Sequence, residues 1–414
     1  MKRRLLPILM TLVLVCALPI WAAFVTSGDV TNPLVCTAGA TLPPEPVAVS
    51  NAADLQNRIA DGKSVKLTDN ITITSTLEIA RSLTLDLNGY VLKMGGTGRV
   101  IHITSSAEVE IKDGESNRAR TGEYAALPAG GVITGGNACV NQNDTGGGIL
   151  LDGGCTLKLT GGCITDCRAS LAGGGVASRG DATLYMSGTA RIKNCTAAQW
   201  SDTSAMYYTG TIYADGGTVE GPVNLQGGIS HSEGTGVTVF TGDVYYNSAG
   251  VPRFIIESGI FKGNVYNRGV IKGGTFYGPI VNEVGPGQVT GGTFAVTFDR
   301  GDGTKTEPTL VAWNGKVSRP TSDPEKSGHT FVGWYLGDEK YNFDTPVTAP
   351  LTLTAKWEKV PSSGGYYYYH PTTDTKTTDT KGSPKTFDAG IALYVGMALT
   401  SAAGVAFVGK KRED

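Results

Sequence analysis

The chain has 414 residues, which is enough for two or three domains and a substantial hydrophobic core. Glycine supplies 58 of the 414 residues, or 14%, about twice its average share, but without the triplet repeat of collagen. Hydrophobic residues make up 40%, and 35 basic against 37 acidic side chains give a net charge of −2. This composition excludes wholesale disorder and lacks the basic excess of a dedicated nucleic-acid binder. We therefore expect a glycine-punctuated β protein with no nucleic-acid partner.

The N-terminus has the pattern of a secretory signal peptide. Basic residues 2–4 precede an uncharged apolar run over residues 5–20, and small residues follow it. We therefore assign residues 1–23 to a signal peptide and residues 24–47 to a linker. The alternative is an uncleaved N-terminal anchor.

A short amphipathic helix is predicted over residues 51–60, because Leu55 and Ile59 lie four residues apart and Ser50 can initiate a helix. Downstream the hydrophobic period changes to two, in short runs such as residues 83–87 and 101–103 that Gly, Asn or Ser separate. Stacked strands need a cap, because an open end would expose apolar core and unpaired strand edges. The order of elements thus predicts a helix that covers the first strands of a stack.

The central segment contains internal repeats. Three glycines at 146–148 recur at 173–175, a shift of 27, and Phe261 recurs as Phe276, a shift of 15. Repeated units that cannot fill their own cores stack on one another, and this pattern suits a parallel β-helix with coils of varying length. Residues 48–294 resemble the right-handed β-helix surface proteins of gut Firmicutes, and the phrases LDLNGY and LTGGCITDC carry the likeness. The resemblance implies an all-β, right-handed parallel β-helix with an N-terminal capping helix.

Three cysteines share the period of the repeats. Cys139, Cys167 and Cys195 are each 28 residues apart, which predicts one position on successive coils, about 4.8 Å apart. We predict a ladder of buried side chains. Disulfide bonds are the alternative, because an exported chain permits them and this spacing is within bonding range. The cysteine spacing is not a zinc pattern, and no histidine lies between His102 and His231, so we expect no metal and no cofactor.

A compact aromatic unit follows over residues 295–358. The runs GHTFVGWY (328–335) and LTLTAKW (351–357) resemble the Listeria–Bacteroides repeat, a small β-grasp-like module of bacterial surface proteins. The resemblance implies that Phe331, Trp334 and Trp357 form the core of the module. A sugar-stacking role for one of these rings is the alternative.

The C-terminal part predicts a stalk and a membrane span. Residues 359–382 form a disordered linker rich in Thr, Tyr and Pro, because this composition cannot build a core. Residues 389–409 carry no charge and precede the basic residues 410–412. At 1.5 Å per residue this stretch reaches about 30 Å, one bilayer core, which predicts a transmembrane helix with positive-inside retention.

The segment 383–414 resembles the C-terminal sorting signal of Gram-positive surface proteins. A pentapeptide precedes the apolar span, and its residues are Ser383, Pro384, Lys385, Thr386 and Phe387. In that family a sortase transpeptidase cuts after the threonine and joins it to cell-wall peptidoglycan, so the resemblance implies that Thr386 becomes the new C-terminus. Phe387 stands where the family has glycine, and we expect this ring to impair cleavage.

The sequence contains no P-loop, dinucleotide fingerprint, nucleophile elbow or acidic cluster with a facing arginine. We therefore expect a non-catalytic surface display protein, adhesin-like or structural, outside the cell and anchored to cell wall or plasma membrane. Expected partners are a sortase-type transpeptidase, peptidoglycan, and a host or microbial glycan or matrix protein. The alternative is a carbohydrate-active enzyme, a polysaccharide lyase or glycosidase, because β-helices often carry such sites across their coils.

Overall fold

The computed structural model describes residues 45–198, 205–232, 236–246, 255–282 and 287–360. The predicted signal peptide, most of both linkers and the whole segment 383–414 lie outside these ranges. Within them, one α-helix, α1 (Ala52–Ala60), and one 3-10 turn (Gly122–Tyr124) accompany 35 strands. The protein is therefore mostly β, as the sequence predicts.

The strands of the first half are short except for β16, which has 11 residues, and their bounds follow in chain order. They are β1 (Val47–Val49), β2 (Val65–Leu67), β3 (Ile71–Ile73), β4 (Leu77–Ile79), β5 (Leu83–Asp86), β6 (Val91–Met94), β7 (Ile101–Ile103), β8 (Glu108–Lys112), β9 (Val132–Thr134), β10 (Asn137–Ala138), β11 (Ile149–Leu151), β12 (Thr156–Leu159), β13 (Cys163–Thr165), β14 (Arg168–Ala169), β15 (Val176–Ser178), β16 (Thr183–Lys193), β17 (Thr196–Ala197) and β18 (Met206–Tyr208).

The second half continues the same pattern and ends in longer strands. Its members are β19 (Thr211–Val219), β20 (Val223–Leu225), β21 (Ile229–Ser230), β22 (Val239–Phe240), β23 (Val244–Tyr246), β24 (Ile255–Ile256), β25 (Ile260–Phe261), β26 (Val265–Asn267), β27 (Val270–Ile271), β28 (Thr275–Phe276), β29 (Ile280–Asn282), β30 (Gln288–Val289), β31 (Thr293–Asp299), β32 (Thr309–Ala312), β33 (His329–Leu336), β34 (Glu339–Lys340) and β35 (Leu351–Lys359).

The strands up to β31 pair in parallel and form three long rows, and β10, β14 and β17 form a further short parallel sheet. The first row runs β1-β2-β5-β8-β12-β16-β19-β21-β24-β27-β30, and the second β3-β6-β9-β13-β16-β19-β22-β25-β28-β31. The third row is a separate sheet of nine strands, β4-β7-β11-β15-β18-β20-β23-β26-β29. Strands β16 and β19 are long enough to belong to both the first and the second row. The chain thus visits the rows in turn and begins again, which explains the repeats seen in the sequence.

Because the strands pair in register, similar side chains stack on one another. Strands such as β2, β3 and β4 bury their first and last residues and expose the middle one. Along the second row, the inward position holds Phe240, Phe261, Phe276 and Phe294, and successive ring centroids lie 5.2, 4.9 and 5.8 Å apart. The core is therefore a set of continuous ladders, each built from one residue position of the repeat.

Helix α1 lies against the first strands of the stack, β1 to β4. Its Leu55 and Ile59 are fully buried there, as the four-residue spacing predicts. The N-cap is Asn51 and not Ser50, because the Asn51 side chain accepts the Asp54 backbone N–H at 2.9 Å. The helix therefore starts one residue later than the sequence suggested.

Strand β31 joins the stack to the C-terminal module. Its first residues pair in parallel with β28, and residues 296–299 pair in parallel with β35. Strands β32 and β33 are antiparallel to β31 and β35, and β34 forms a hairpin with β33. Phe294 consequently ends the phenylalanine ladder, while Phe298 on the same strand packs on Trp334. The predicted boundary between the β-helix domain and the C-terminal module, at residues 294 and 295, therefore falls within strand β31.

Cys167 and Cys195 are neighbours inside the stack. They immediately precede Arg168 and Thr196, which are paired across β14 and β17, and both side chains are buried. A hydrogen bond between the two thiols, followed by burial, raises the pKa of Cys167 well above its ordinary value. This part of the predicted ladder therefore has the expected geometry, with both sulfurs present as free thiols.

The ladder prediction is wrong for Cys139, which is exposed. Asn137 pairs with Arg168, an offset of 31 residues, whereas Arg168 pairs with Thr196 after 28. The residue at the ladder position is consequently Gly136. No side chain fits there, because a Cβ on Gly136 would lie 1.9 Å from the carbonyl oxygen of Gly147. The equal spacing of the three cysteines in the sequence is therefore misleading, because the coil before Arg168 is longer than the coil after it.

We predict that Phe261→Ala lowers the free energy of unfolding by about 3–5 kcal/mol, because it opens a gap between two stacked rings in the core. Chemical denaturation of the purified protein measures this loss. Tyr277→Ala is the matched control, since Tyr277 is 39% exposed and neighbours the same ladder in sequence. Equal midpoints for Phe261→Ala and the wild type would contradict the ladder.

We predict that iodoacetamide at pH 8 alkylates Cys139 in the native protein and spares Cys163, Cys167 and Cys195. The reactive species is the thiolate, and burial raises the pKa of Cys163 to about 11. Peptide mass spectrometry locates the label, and urea-unfolded protein, in which every thiol reacts, is the control. Native labelling of Cys167 as fast as Cys139 would contradict the buried pair.

Candidate functional site

The parallel stack presents one continuous line of outward side chains along its first row. Successive strands place polar or aromatic residues at one register, from β5 to β27. We call this line the polar file; its members are Thr84, Glu110, Lys158, Tyr185, Tyr213, Ser230, Glu257 and Lys272. Eight positions at the strand spacing of about 4.8 Å extend over about 34 Å. The file is thus long enough to contact several units of a polymer.

The N-terminal half of the polar file pairs its charges. The Thr84 hydroxyl donates to a Glu110 carboxylate oxygen at 3.2 Å, and the Lys158 ammonium forms an ion pair with Glu108. The hydrogen bond with Glu108 raises the pKa of Lys158. Beside these groups lies an open cavity of about 360 Å³, lined by Ser64, Ser82, Leu83, Thr84, Glu108, Glu110 and Lys158. This end of the file can offer a ligand both hydroxyl and charged contacts.

Two tyrosines occupy the centre of the polar file. The rings of Tyr185 and Tyr213 stack with centroids 4.5 Å apart and planes 9° from parallel. The Lys158 ammonium lies 5.9 Å from the Tyr185 centroid, on the side away from Tyr213. Both tyrosines are half-buried, so their stems are held by the stack while part of each ring meets solvent. Sequence periodicity could have found this pair, because Tyr185 and Tyr213 are 28 residues apart.

The C-terminal half of the file ends in a second polar group. Ser230 donates to Glu257 at 2.8 Å, and Lys272 lies 3.9 Å from the same carboxylate. Charges of both signs alternate along the file, so it carries no strong net potential. A neutral or mixed-charge polymer suits such a surface better than nucleic acid.

Another titratable group lies on the third row. His102 Nδ1 is 2.8 Å from Glu78 Oε2, and His102 Nε2 is 3.2 Å from Asp152 Oδ1. The second contact is short enough for an ion pair but lacks hydrogen-bond alignment, because Nε2 has no hydrogen-bond partner. A histidine between two carboxylates is the arrangement here that comes nearest to acid–base chemistry.

The predicted module residues lie together in the C-terminal module. Trp334 is buried and packs edge-on against Phe331, with centroids 5.4 Å apart. Phe331 also contacts Trp357 edge-on at 5.5 Å, and both are only partly buried. The Trp357 indole N–H donates to the Arg300 carbonyl at 2.8 Å, which fixes its orientation. The three rings therefore form one cluster, in which Phe331 contacts both tryptophans and Trp334 is the most buried.

The remaining predicted groups do not contribute to a described site. The sorting-signal residues and the apolar span fall outside the described ranges. No helix of the described part is long and apolar enough to cross a membrane. The same part contains no group of three or more His, Cys, Asp or Glu side chains placed to hold a metal ion.

Comparisons with known proteins concern the module and a short stretch of sequence. Residues 294–356 match the family model of the Listeria-Bacteroides repeat domain. A protein of Evansella cellulosilytica, provisionally named a Gly-rich membrane protein, is 33% identical over 69 residues, which are 16% of this chain and 8% of that protein. A second protein of this organism, provisionally named a membrane protein, is 32% identical over 69 residues, or 16% and 10%.

The chain covers a tenth or less of the length of these two relatives. No solved structure matches it. The predicted repeat domain is thereby confirmed for the C-terminal module. The likeness to the two relatives concerns 16% of the chain, and both relatives carry provisional names as membrane proteins.

Proposed function

We propose that this protein is a non-catalytic, exported surface display protein of adhesin-like or structural type. The observation that carries the proposal is the polar file, a continuous line of outward hydroxyl, charged and tyrosine side chains at one register of the stack. Such a line can contact successive units of an extended glycan or matrix protein without any moving part. The matched repeat domain and the membrane-protein relatives support a location at the cell surface.

The three rows are, in this proposal, the faces of a right-handed parallel β-helix. Support comes from the order of strands, because the chain visits the first, second and third row before each return. Parallel crossover connections are right-handed in almost all proteins, and the same twist argument favours a right-handed coil here. The stack would then act as a stiff rod that displays its outer faces.

The proposal includes that the protein is not catalytic. It is supported by the carboxylates near the polar file, which already have hydrogen-bond or ion-pair partners. Beside the polar file, Glu108 is paired with Lys158, and within it Glu110 accepts the Thr84 hydroxyl and Glu257 is paired with Ser230 and Lys272. A glycosidase needs two available carboxyl groups roughly 5–9.5 Å apart on either side of a bond. Carboxylates that are already paired with a cation would need to break that pairing before acting on a substrate.

The second candidate function is a carbohydrate-active enzyme, and His102 is the observation that favours it. Glu78 and Asp152 flank this histidine, and polarised imidazole is a common general base. Release of reducing ends from a plant or bacterial polysaccharide by the wild type, and its loss in His102→Ala, would favour the enzyme over the display protein.

Anchoring completes the proposed function. The chain would be exported by its signal peptide and retained by the helix over residues 389–409. A sortase-type transpeptidase and peptidoglycan would be its partners at Thr386, and the linker over residues 359–382 would hold the folded part away from the membrane.

We predict that Tyr185→Ala combined with Tyr213→Ala weakens binding to the best ligand of a glycan array or a matrix-protein panel by about tenfold. Loss of two stacking faces at roughly 0.5–1.5 kcal/mol each has this effect. Tyr277→Ala is the matched control, because Tyr277 is an exposed tyrosine on the second row. Unchanged affinity of the double variant would remove the polar file from the proposed function.

We predict that the wild type stays mainly detergent-extractable and that Phe387→Gly moves it to the cell-wall fraction. A ring after the scissile bond restricts φ and fills the groove in which glycine fits, so the loss of one transition-state contact slows cleavage by orders of magnitude. Fractionation and mass spectrometry of the C-terminus measure this. A wild type that already ends at Thr386 would contradict the impaired cleavage.

A further inference from the structure

A second, smaller cavity lies under the segment that connects β8 to β9. It measures about 190 Å³ and is lined by Asn70, Tyr90, Arg118, Arg120, Thr121 and Tyr124. Pockets for drug-sized ligands are roughly 300–1,000 Å³. This cavity therefore suits a single group about the size of one sugar unit.

The connecting segment is held firmly on the stack. The Asp113 carboxylate accepts the backbone N–H groups of Gly89 and Gly131, both at 2.6 Å. On the outer face of the second row, Tyr124 and Leu127 pack on an apolar patch of Val91, Val132 and Cys163. The cavity is thus preorganised, and Asp113, an acidic neighbour of Arg120, already accepts backbone N–H groups at both carboxylate oxygens.

Arg118 lines the cavity and packs against a turn of the chain at which only glycine fits. Its guanidinium lies 4.2 Å from the centroid of the Tyr90 ring, a cation–π contact. A Cβ on Gly89, whose φ is +77°, would lie 2.7 Å from Arg118 Nε. Arg118 Nε is buried and has no hydrogen-bond partner. The close approach therefore places an unused donor beside the cavity.

Arg120 is the second cation. Its Nη1 donates to the Gly89 carbonyl at 2.9 Å and its Nε to the Pro128 carbonyl at 3.1 Å, but its buried Nη2 has no partner. Burial lowers the pKa of Arg120, an effect that Asp113 partly offsets. Within the described ranges, neither Arg118 nor Arg120 forms an ion pair. Two guanidinium groups without an ion pair at one cavity favour an anionic ligand, because charge-assisted hydrogen bonds are stronger than neutral ones.

The other end of the cavity is neutral to acidic. Burial, and then the neighbouring Glu123 carboxylate, raise the pKa of Tyr124, so its phenol stays protonated. Asp69 is a further acidic neighbour of this phenol, while the Lys93 ammonium lies 5.7 Å from its ring. Hydroxyl groups of a ligand can bind at this end, where a second anionic group would be repelled.

We propose that this cavity binds one acidic sugar residue, with its carboxylate against Arg118 and Arg120 and its hydroxyl groups towards Thr121 and Tyr124. A planar carboxylate matches the two-donor fork of a guanidinium. The sugar part of the assignment rests on the proposed glycan-binding function, whereas the anion part does not. The site lies on a different row from the polar file, so each can fail without the other.

Calorimetry of the full chain with D-glucuronate, D-glucose and inorganic phosphate tests the proposal. We expect glucuronate to bind, glucose to bind at least tenfold more weakly, and high salt to reduce glucuronate affinity. Phosphate binding without glucuronate binding would overturn the sugar assignment. Equal affinity for glucose and glucuronate, or no heat with any of the three, would overturn the anion site.

Arg118→Gln should weaken glucuronate binding at least tenfold, because it removes a charge-assisted contact. The matched control is Arg179→Gln, which removes an exposed arginine on the turn after β15 and should leave affinity unchanged. Should Arg118→Gln not fold, phenylglyoxal modification of the wild type answers the same question. Glucuronate should protect Arg118 and not Arg179, and equal modification with and without the sugar would contradict the site.

Discussion

The structure depends on parallel pairing of very short strands in register. A strand of two or three residues makes few hydrogen bonds, so it is stable only when strands before and after it share its ladder and its core. An inward position therefore becomes a column of like side chains, and Phe240, Phe261, Phe276 and Phe294 form one such column. Helix α1 covers the first strands, while β31 carries the last phenylalanine directly into the next module.

The same register that builds the core also builds the surface. Successive residues of a strand point to opposite faces. Pairing in register therefore stacks one residue of each strand into an inward column and its neighbour into an outward file. This is why Tyr185 stacks on Tyr213 with planes only 9° apart. In the proposed function, this evenly spaced surface displays repeated contacts to a polymer.

Variation in coil length creates the specialised features. Where the chain leaves the stack between β8 and β9, the extra residues fold back over the second row and enclose the cavity beside Arg118 and Arg120. Where the coil before β14 is longer than the next one, Cys139 lies on the surface and Gly136 takes the inner position. Insertions therefore add local sites while the ladders continue past them.

The sequence by itself determined the period-two strands, the short first helix, the repeats and the C-terminal aromatic unit, because each depends on local spacing and composition. It also identified Trp334 as buried and the 28-residue step that pairs Cys167 with Cys195. Only the tertiary structure decided which residues share a register, since a loop of three extra residues changes the partner of every position after it. The exposure of Cys139 and the arginine cavity both depend on how the coils align, which no single segment of sequence contains.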